Sequence, residues 1–294
     1  MLELMIQYGV PAALFLLMLI AGTEITAADL RRVVRYPKPV VLGVSGQLLI
    51  LPPLSIAATT ATGAGSFVSA VVFLLSLCPG GPISNYYSYF ARCNVSLSAS
   101  ITTVGTLLSL VAIPLWLKAA TAWMSFGVAL PNVPVAVVLL QLALFMMLPI
   151  GLGLAGSHLW PALLARGQQV LRGISLLVIL AILVLTAWSV RGEFAQLAHE
   201  IFLAAVLFIL GAMLLGWALA WGMKPADGPV LVIESAVRNV GIALIIGRGL
   251  FDAPSFGKLA TFLTGYFLVE MAIILPYTQF VRMRLDRERP SVLS

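Results

Sequence analysis

The sequence predicts an all-α polytopic membrane protein with nine transmembrane helices. Its 294 residues are 61% hydrophobic and 10% charged, with a mean hydropathy of +1.07, whereas soluble domains carry about 25% charged residues. The apolar runs reach the length of about 20 residues that a helix needs to cross the hydrocarbon core. They also lack the alternation of apolar and polar residues that marks the strands of a membrane barrel. Helices are therefore expected throughout one membrane domain, residues 1–294.

Nine apolar segments qualify as spans, and two of them are interrupted. They cover roughly residues 4–27, 38–60, 66–91, 95–117, 132–157, 173–190, 199–222, 229–249 and 259–281. The third span contains Pro79, Gly80, Gly81 and Pro82. Proline removes a backbone donor, and glycine costs about 1 kcal/mol relative to alanine inside a helix. The eighth span has a polar cluster at its centre, so we predict broken helices near residues 66–91 and 229–249.

The basic residues predict the orientation of the chain. Cytoplasmic loops of membrane proteins retain Lys and Arg, and an external N-terminus places twelve basic residues on the cytoplasmic side and four on the other. The twelve are Arg31, Arg32, Arg35, Lys38, Arg92, Arg166, Arg172, Lys224, Arg282, Arg284, Arg287 and Arg289, and the four are Lys118, Arg191, Arg248 and Lys258. The N-terminus is therefore predicted outside and the C-terminus inside. This bias accounts for the net charge of +6 without a nucleic-acid partner.

Three ionisable residues lie within the predicted spans, away from the interfaces: Glu234, Arg238 and Glu270. Each costs roughly 2.5 to 3.5 kcal/mol at mid-helix on insertion scales. Such residues form either a structural ion pair or part of a transport pathway, and intramembrane charges usually mark the pathway. Ser235 and Asn239 belong to the same polar cluster.

Interrupted helices in both halves of a chain are typical of transporters built from inverted repeats. Ser84 and Asn85 directly follow the first interruption. Where a helix breaks, freed carbonyls can coordinate a cation, and the N-terminus of the next half-helix attracts an anion. The two interruptions therefore predict an ion and substrate site.

Three stretches resemble the bile acid:sodium symporter family: residues 28–52 (ADLRRVVRYPKPVVLGVSGQLLILP), 79–109 (PGGPISNYYSYFARCNVSLSASITTVGTLLS) and 234–239 (ESAVRN). The resemblance implies two inverted five-helix repeats, arranged as a panel domain and a core domain. It also implies that the two broken helices cross in the core domain. The nine spans correspond to the last nine of the ten helices in longer members.

The resemblance further implies two sodium sites. The residues matching the first site are Ser84, Asn85, Ser98, Thr102 and Glu234. Those matching the second are Gln47, Glu234 and the carbonyls of Ser235 and Val237. The family's coordinating glutamine falls on Arg238, whose guanidinium has no acceptor and cannot bind a cation. Our hypothesis is that Arg238 occupies the second site, held by Glu234 or Glu270 and by Gln47, so that one sodium site remains.

These implications predict sodium-coupled symport of a small organic anion across a bacterial inner membrane, with sodium as coupling ion and no organic cofactor. The anion is expected near Arg238, Asn239 and Glu270. A small carboxylate such as a 2-oxo acid or a pantothenate-like compound fits the bacterial and plastid relatives. The lipid bilayer is the surrounding partner, and the sequence leaves protein partners unknown.

Other functions stay open at this point. An arsenite-type efflux permease of the same fold would use a thiol in the first broken helix, and Cys78 precedes Pro79. A proton-coupled carrier would use Glu234 or Glu270. An intramembrane hydrolase needs a nucleophile beside a base, but His158 and His199 lie near helix ends without a paired motif. The sequence is therefore not predicted to be an enzyme.

Overall fold

The computed structural model describes residues 8–25, 34–122, 135–160 and 191–288, together with a few single positions between them. Within these ranges every regular element is a helix, which confirms the all-helical class. In the described part of the chain, six helical segments are long and apolar enough to cross a membrane: Pro37–Ala61, Val95–Ala120, Ala136–Leu159, His199–Leu219, Gly228–Leu250 and Pro254–Glu288. Nine spans remain a prediction, because most of the sixth predicted span, 173–190, lies outside the described residues.

We number the helices in chain order. Their bounds are α1, Val10–Glu24; α2, Pro37–Ser45 and Leu51–Ala61 joined by a π-helical segment at Gly46–Ile50; α3, Ser66–Leu77; α4, Pro82–Phe90; α5, Val95–Ala122; α6, Val135–Leu142 and Leu148–Leu159 joined by a π-helical segment at Ala143–Met147; α7, Arg191–Leu219; α8, Gly228–Ala236; α9, Val240–Leu250; and α10, Ala253–Glu288.

The first break separates α3 from α4. The backbone turns extended at Cys78, with ψ of 135°, and is extended again at Gly81, with φ of −114° and ψ of 173°. Pro82 then opens α4 in the first turn of the helix, where a missing N–H costs nothing because that donor has no intrahelical partner. The Pro-Gly-Gly-Pro run therefore both ends one helix and starts the next.

The second break separates α8 from α9. Val237 is extended, with ψ of 115°, and Asn239 caps α9 by accepting a hydrogen bond from the Ile242 N–H. An asparagine side chain at this position replaces one of the backbone acceptors that a helix start lacks. The interruption therefore begins three residues after Glu234, which itself lies in the last turn of α8.

The two breaks contact each other in the interior. The Asn239 N–H donates to the Pro79 carbonyl at 3.0 Å. The Gly228–Leu250 segment is the most enclosed of the six candidate spans, since 94% of an apolar stretch of 18 residues within it is buried. Irregular backbone is tolerated at membrane depth only when protein surrounds it or it lines a cavity. The meeting of the breaks therefore defines the place where a functional site can form.

Candidate cation and substrate site at the helix breaks

The carboxylate of Glu234 is the centre of a buried polar cluster. Its Oε1 accepts from the hydroxyls of Ser84 and Ser98, both at 2.6 Å, and from that of Thr102 at 3.1 Å. Its Oε2 accepts from Thr102 at 3.0 Å and from Gln47 Nε2 at 3.4 Å. Glu234, Ser84, Ser98 and Gln47 have no exposed surface. Four elements, α2, α4, α5 and α8, thus meet on one carboxylate.

Local sequence explains how these side chains reach Glu234. Ser84 lies in the first turn of α4, directly after the break. Ser98 and Thr102 are four residues apart on α5, so both hydroxyls lie on one face. Gln47 lies in the π-helical segment of α2, a local widening that is frequent at functional sites. Its Oε1 accepts from the Gly80 N–H at 3.1 Å, which ties the first break to the cluster.

The cluster contains more oxygen acceptors than protons. Ser98 Oγ lies 2.6 Å from Glu234 Oε1 and 2.8 Å from Asn85 Oδ1. Ser84 Oγ likewise lies 2.6 Å from Glu234 Oε1 and 2.8 Å from the Gly81 carbonyl. Each hydroxyl carries one proton and two lone pairs, so neither serine can satisfy both neighbours at once. The unused lone pairs suit a hard cation, which prefers oxygen ligands.

The structure thus brings together all five residues matching the first sodium site. The candidate cation ligands are hydroxyl, amide and carboxylate oxygens, a set that fits an alkali ion. Among the described residues there is no group of three or more His, Cys, Asp or Glu side chains that could hold a metal. The cluster therefore lacks the nitrogen and sulfur ligands that zinc or copper prefer.

Arg238 lies in the second break and is 3% exposed. Its Nη1 donates to the main-chain carbonyls of Glu234, at 3.2 Å, and Ser235, at 3.4 Å. Its Nη2 donates to the carbonyls of Ser76, at 3.5 Å, and Cys78. The expectation that a carboxylate or the Gln47 amide holds this guanidinium is therefore wrong. The acceptors are carbonyls at the ends of α3 and α8, which have no intrahelical partners because both helices stop there.

The remaining predicted residues surround the second break. Val237 is buried in the extended segment, and Ser235 is buried with no hydrogen-bond partner for its Oγ among the described residues. Asn239 uses its side chain to cap α9 and its N–H to reach the first break. The guanidinium of Arg238 thus sits among main-chain carbonyls, the type of ligand that the second sodium site was expected to provide.

Glu270 lies on α10 and is 1% exposed. Both of its carboxyl oxygens lack a hydrogen-bond partner within the described part of the chain, and so does Arg238 Nε. Tyr266, one turn earlier on α10, donates instead to the Ala236 carbonyl at the end of α8, at 2.6 Å. Glu270 therefore shares the interior with Arg238 without a direct hydrogen bond to it.

Sequence reasoning missed Tyr266. Its position four residues before Glu270, within an apolar run, is a signal that both side chains lie on one helix face. The hydroxyl satisfies a carbonyl that the second break would otherwise leave unpaired, so Tyr266 supports the break itself.

Cys78 begins the first break, but its thiol is turned away from the polar cluster. Its Sγ donates to the Leu74 carbonyl at 3.3 Å, within the preceding turn of α3, and the residue has no exposed surface. The Cys78 carbonyl, rather than the sulfur, takes part in the site through Arg238.

Comparison with known proteins identifies a family and several relatives. Residues 11–197 match the model of the sodium bile acid symporter family. The chain is 27% identical over 279 residues to an uncharacterized sodium-dependent transporter, YocS, of Bacillus subtilis, covering 93% of this chain and 84% of that one. It is 26% identical over 261 residues to the ileal sodium/bile acid cotransporter of Mus musculus, covering 82% and 70%.

A plastid relative matches a shorter segment. The probable chloroplastic sodium/metabolite cotransporter BASS2 of Oryza sativa is 37% identical over 102 residues, covering 35% of this chain and 24% of that one. These relatives are transporters rather than enzymes. On the family match, this chain belongs to the sodium bile acid symporter family.

Proposed function

We propose that this chain couples the inward movement of one sodium ion to the uptake of a small organic anion. The observation that carries the proposal is the proton-poor oxygen cluster around Glu234, in which two serine hydroxyls each face two acceptors at 2.6 and 2.8 Å. A cation placed among these oxygens satisfies the lone pairs that hydrogen bonds leave over. It also compensates the buried carboxylate, whose isolation from water is otherwise costly.

The proposed stoichiometry of one sodium ion is based on the contacts of Arg238. Its guanidinium already engages the carbonyls of both breaks. A second cation at that place would have to compete for the same carbonyls against a permanent charge. In this proposal Arg238 acts as a built-in cation, while the Glu234 cluster binds the ion that is exchanged.

The charge and the broken helices favour an anionic substrate. α4 and α9 both begin at the breaks, and helix N-termini attract anions through their free N–H groups and dipole. Arg238 adds a fixed positive charge beside them. A small carboxylate is the substrate class that this arrangement fits, with Asn239 and Glu270 at the edge of the same region.

Binding of ²²Na⁺ to the purified protein tests the ion stoichiometry. We expect one ion per chain in the wild type and none in Glu234→Gln, which keeps the shape of the side chain but removes the charge. Two ions per wild-type chain would refute the assignment of Arg238. Uptake into proteoliposomes then tests coupling, because one sodium with a monovalent anion moves no net charge. An inside-negative potential should leave that uptake unchanged, and strong stimulation would contradict single-ion coupling.

A screen of small anions by thermal shift identifies the substrate class. The expected hit raises the melting temperature in sodium and not in choline at the same ionic strength. A cationic or neutral ligand that gives the only sodium-dependent shift would contradict the anion assignment.

Proton coupling is the second candidate, because both oxygens of Glu270 accept no hydrogen bond from the described residues. A buried carboxyl without donors is more easily accommodated in its protonated form. Uptake that persists in choline at fixed pH, and is lost in Glu270→Gln, would favour this candidate over sodium coupling. The efflux alternative has less support, because the Cys78 thiol is directed at the Leu74 carbonyl.

We propose the orientation of the chain in the membrane from the distribution of its Lys and Arg residues. With the N-terminus outside and the C-terminus in the cytoplasm of a bacterial cell, the basic ends of the helices face the inner leaflet.

A further inference from the structure

A cavity lies at the end of the helices, separate from the breaks. It has a volume of about 470 Å³ and lies between the end of α7, the turn that follows, the start of α8 and the C-terminal part of α10. None of the side chains that contact the Glu234 carboxylate lines the cavity, and Arg238 does not line it either. Its walls and rim are formed chiefly by Trp217, Trp221, Lys224, Tyr277, Phe280 and Arg284.

Aromatic side chains form the apolar wall of this cavity. Trp217, Trp221 and Phe280 are 61%, 77% and 59% exposed. The two tryptophans pack edge to face with their ring centroids 6.1 Å apart. Exposed aromatic residues at the ends of membrane-spanning helices lie at the level of the lipid headgroups, where one part of the ring is apolar and the other meets water. The wall therefore continues from the acyl chains to the headgroup region.

The rim of the cavity is positively charged. Among the described residues, the lining includes Lys224 and Arg284 and no acidic side chain. Lys224 is exposed; its carbonyl accepts from the Asp227 and Gly228 N–H groups, but its side-chain amine has no hydrogen bond or ion pair with any residue that the structure describes. Arg284 Nε pairs with Glu288 at 3.0 Å, but both side chains are largely exposed, at 66% and 43%. An exposed pair of this kind adds little stability, so a phosphate can compete for the guanidinium.

We propose that this cavity binds the headgroup of an anionic phospholipid. The phosphate lies between Lys224 and Arg284, and the upper acyl chains lie against Trp217, Trp221 and Phe280. Basic pockets between helices at the cytoplasmic surface are suited to anionic headgroups, and this rim lies on the side predicted to be cytoplasmic. Charge selects an anion, and the aromatic wall favours a lipid over a free phosphate.

Lipid binding to the full-length protein in neutral detergent tests the proposal. Native mass spectrometry would compare phosphatidylglycerol with phosphatidylcholine of identical acyl chains. The test variant is the double substitution Lys224→Gln and Arg284→Gln. The control is Arg282→Gln with Arg287→Gln, which removes two charges from α10 outside the cavity lining. The control leaves Asp286 paired with Arg92, whose Nη1 lies 2.7 Å from Asp286 Oδ1.

The wild type should prefer phosphatidylglycerol, and the test variant should bind it about thirtyfold more weakly, which is roughly 1 kcal/mol per cation. The control should stay within about threefold of the wild type. Equal binding of the two lipids, or equal losses in the test and control variants, would overturn the proposal. Displacement of the lipid by an equal concentration of glycerol phosphate would instead identify a free-anion site and refute the lipid assignment. Because the readout is lipid binding, failure here leaves the sodium-symport proposal intact.

Discussion

Gly80 offers the sharpest test of the cation site, because a single methyl group at this position would meet its central carboxylate. A Cβ built on Gly80 lies 2.5 Å from Glu234 Oε2, whereas ordinary contact begins at 3.4 Å. The carboxylate would have to move by about 0.9 Å. Oε2 accepts from Thr102 at 3.0 Å and from Gln47 at 3.4 Å, and a displacement of this size would lengthen both hydrogen bonds beyond the usual range.

Gly80→Ala is expected to weaken sodium binding strongly. Hydrogen bonds to charged groups contribute about 1.5 to 3 kcal/mol each, so losing two of them costs about 3 to 6 kcal/mol. A loss of about 1.4 kcal/mol in the ion-bound state, roughly half of the lower value or a quarter of the upper one, weakens sodium binding about tenfold. Gly80→Ala should therefore reduce the affinity for ²²Na⁺ at least tenfold in the purified protein.

The neighbouring glycine provides the matched control. A Cβ built on Gly81 meets nothing closer than the Asn239 side chain at 3.5 Å, an ordinary contact in the same break. Gly81→Ala should bind sodium within about twofold of the wild type. If Gly80→Ala binds sodium normally while still folded, Glu234 does not hold the ion at the place that the cluster indicates.

The structure supports four further predictions, two for the ion sites and two for helix packing. Glu234→Gln should abolish the stabilisation of the protein by sodium in a thermal-shift assay, and a retained sodium shift would remove Glu234 from the ligand set. Arg238→Gln should restore a second ion, seen as a steeper sodium dependence of uptake; an unchanged Hill slope in an active variant would count against a displaced second site. Tyr266→Phe should lower the free energy of unfolding by about 1 to 3 kcal/mol, because it leaves a buried carbonyl at the end of α8 unsatisfied, while sodium affinity changes little; unchanged stability would argue against this role. Gly216→Ala should lower the melting temperature, since its Cβ would lie 2.6 Å from the α8 backbone, whereas Gly211→Ala on the same helix, with nothing within 4 Å, should not; equal shifts would contradict the packing of α7 on α8.

The helix breaks were predictable because the chemistry that causes them is local. A Pro-Gly-Gly-Pro run removes donors and helix propensity within four residues, and the structure leaves helical geometry from Cys78 to Gly81. The position of the Ser98 and Thr102 hydroxyls on one face of α5 follows equally from their spacing of four residues. Their convergence with Gln47 on Glu234 came from the resemblance, since spacing alone cannot say which helices become neighbours.

The partners of Arg238 were not predictable from the sequence. Charge complementarity pointed to the carboxylates of Glu234 and Glu270, but the geometry of the breaks decided otherwise. Glu234 is already engaged by hydroxyls from α4 and α5, and the free carbonyls at the end of α3 lie within reach of the guanidinium. Main-chain acceptors leave no trace in the residue types, so a sequence pattern cannot reveal them.

Replacing an exchanged ion by a fixed guanidinium changes the energetics of transport as well as the geometry. When an ion crosses the membrane in each cycle, the membrane potential supplies about 2.3 kcal/mol per charge per 100 mV. A side chain adds nothing to this driving force because it never crosses. In return, Arg238 is always present, so the carbonyls of both breaks are engaged even before sodium arrives. The affinity for an anion beside it then depends less on the sodium concentration. Under the proposed single-ion coupling, the chain gives up about half of the sodium-linked driving force of a two-ion carrier and gains a substrate site whose positive charge is permanent.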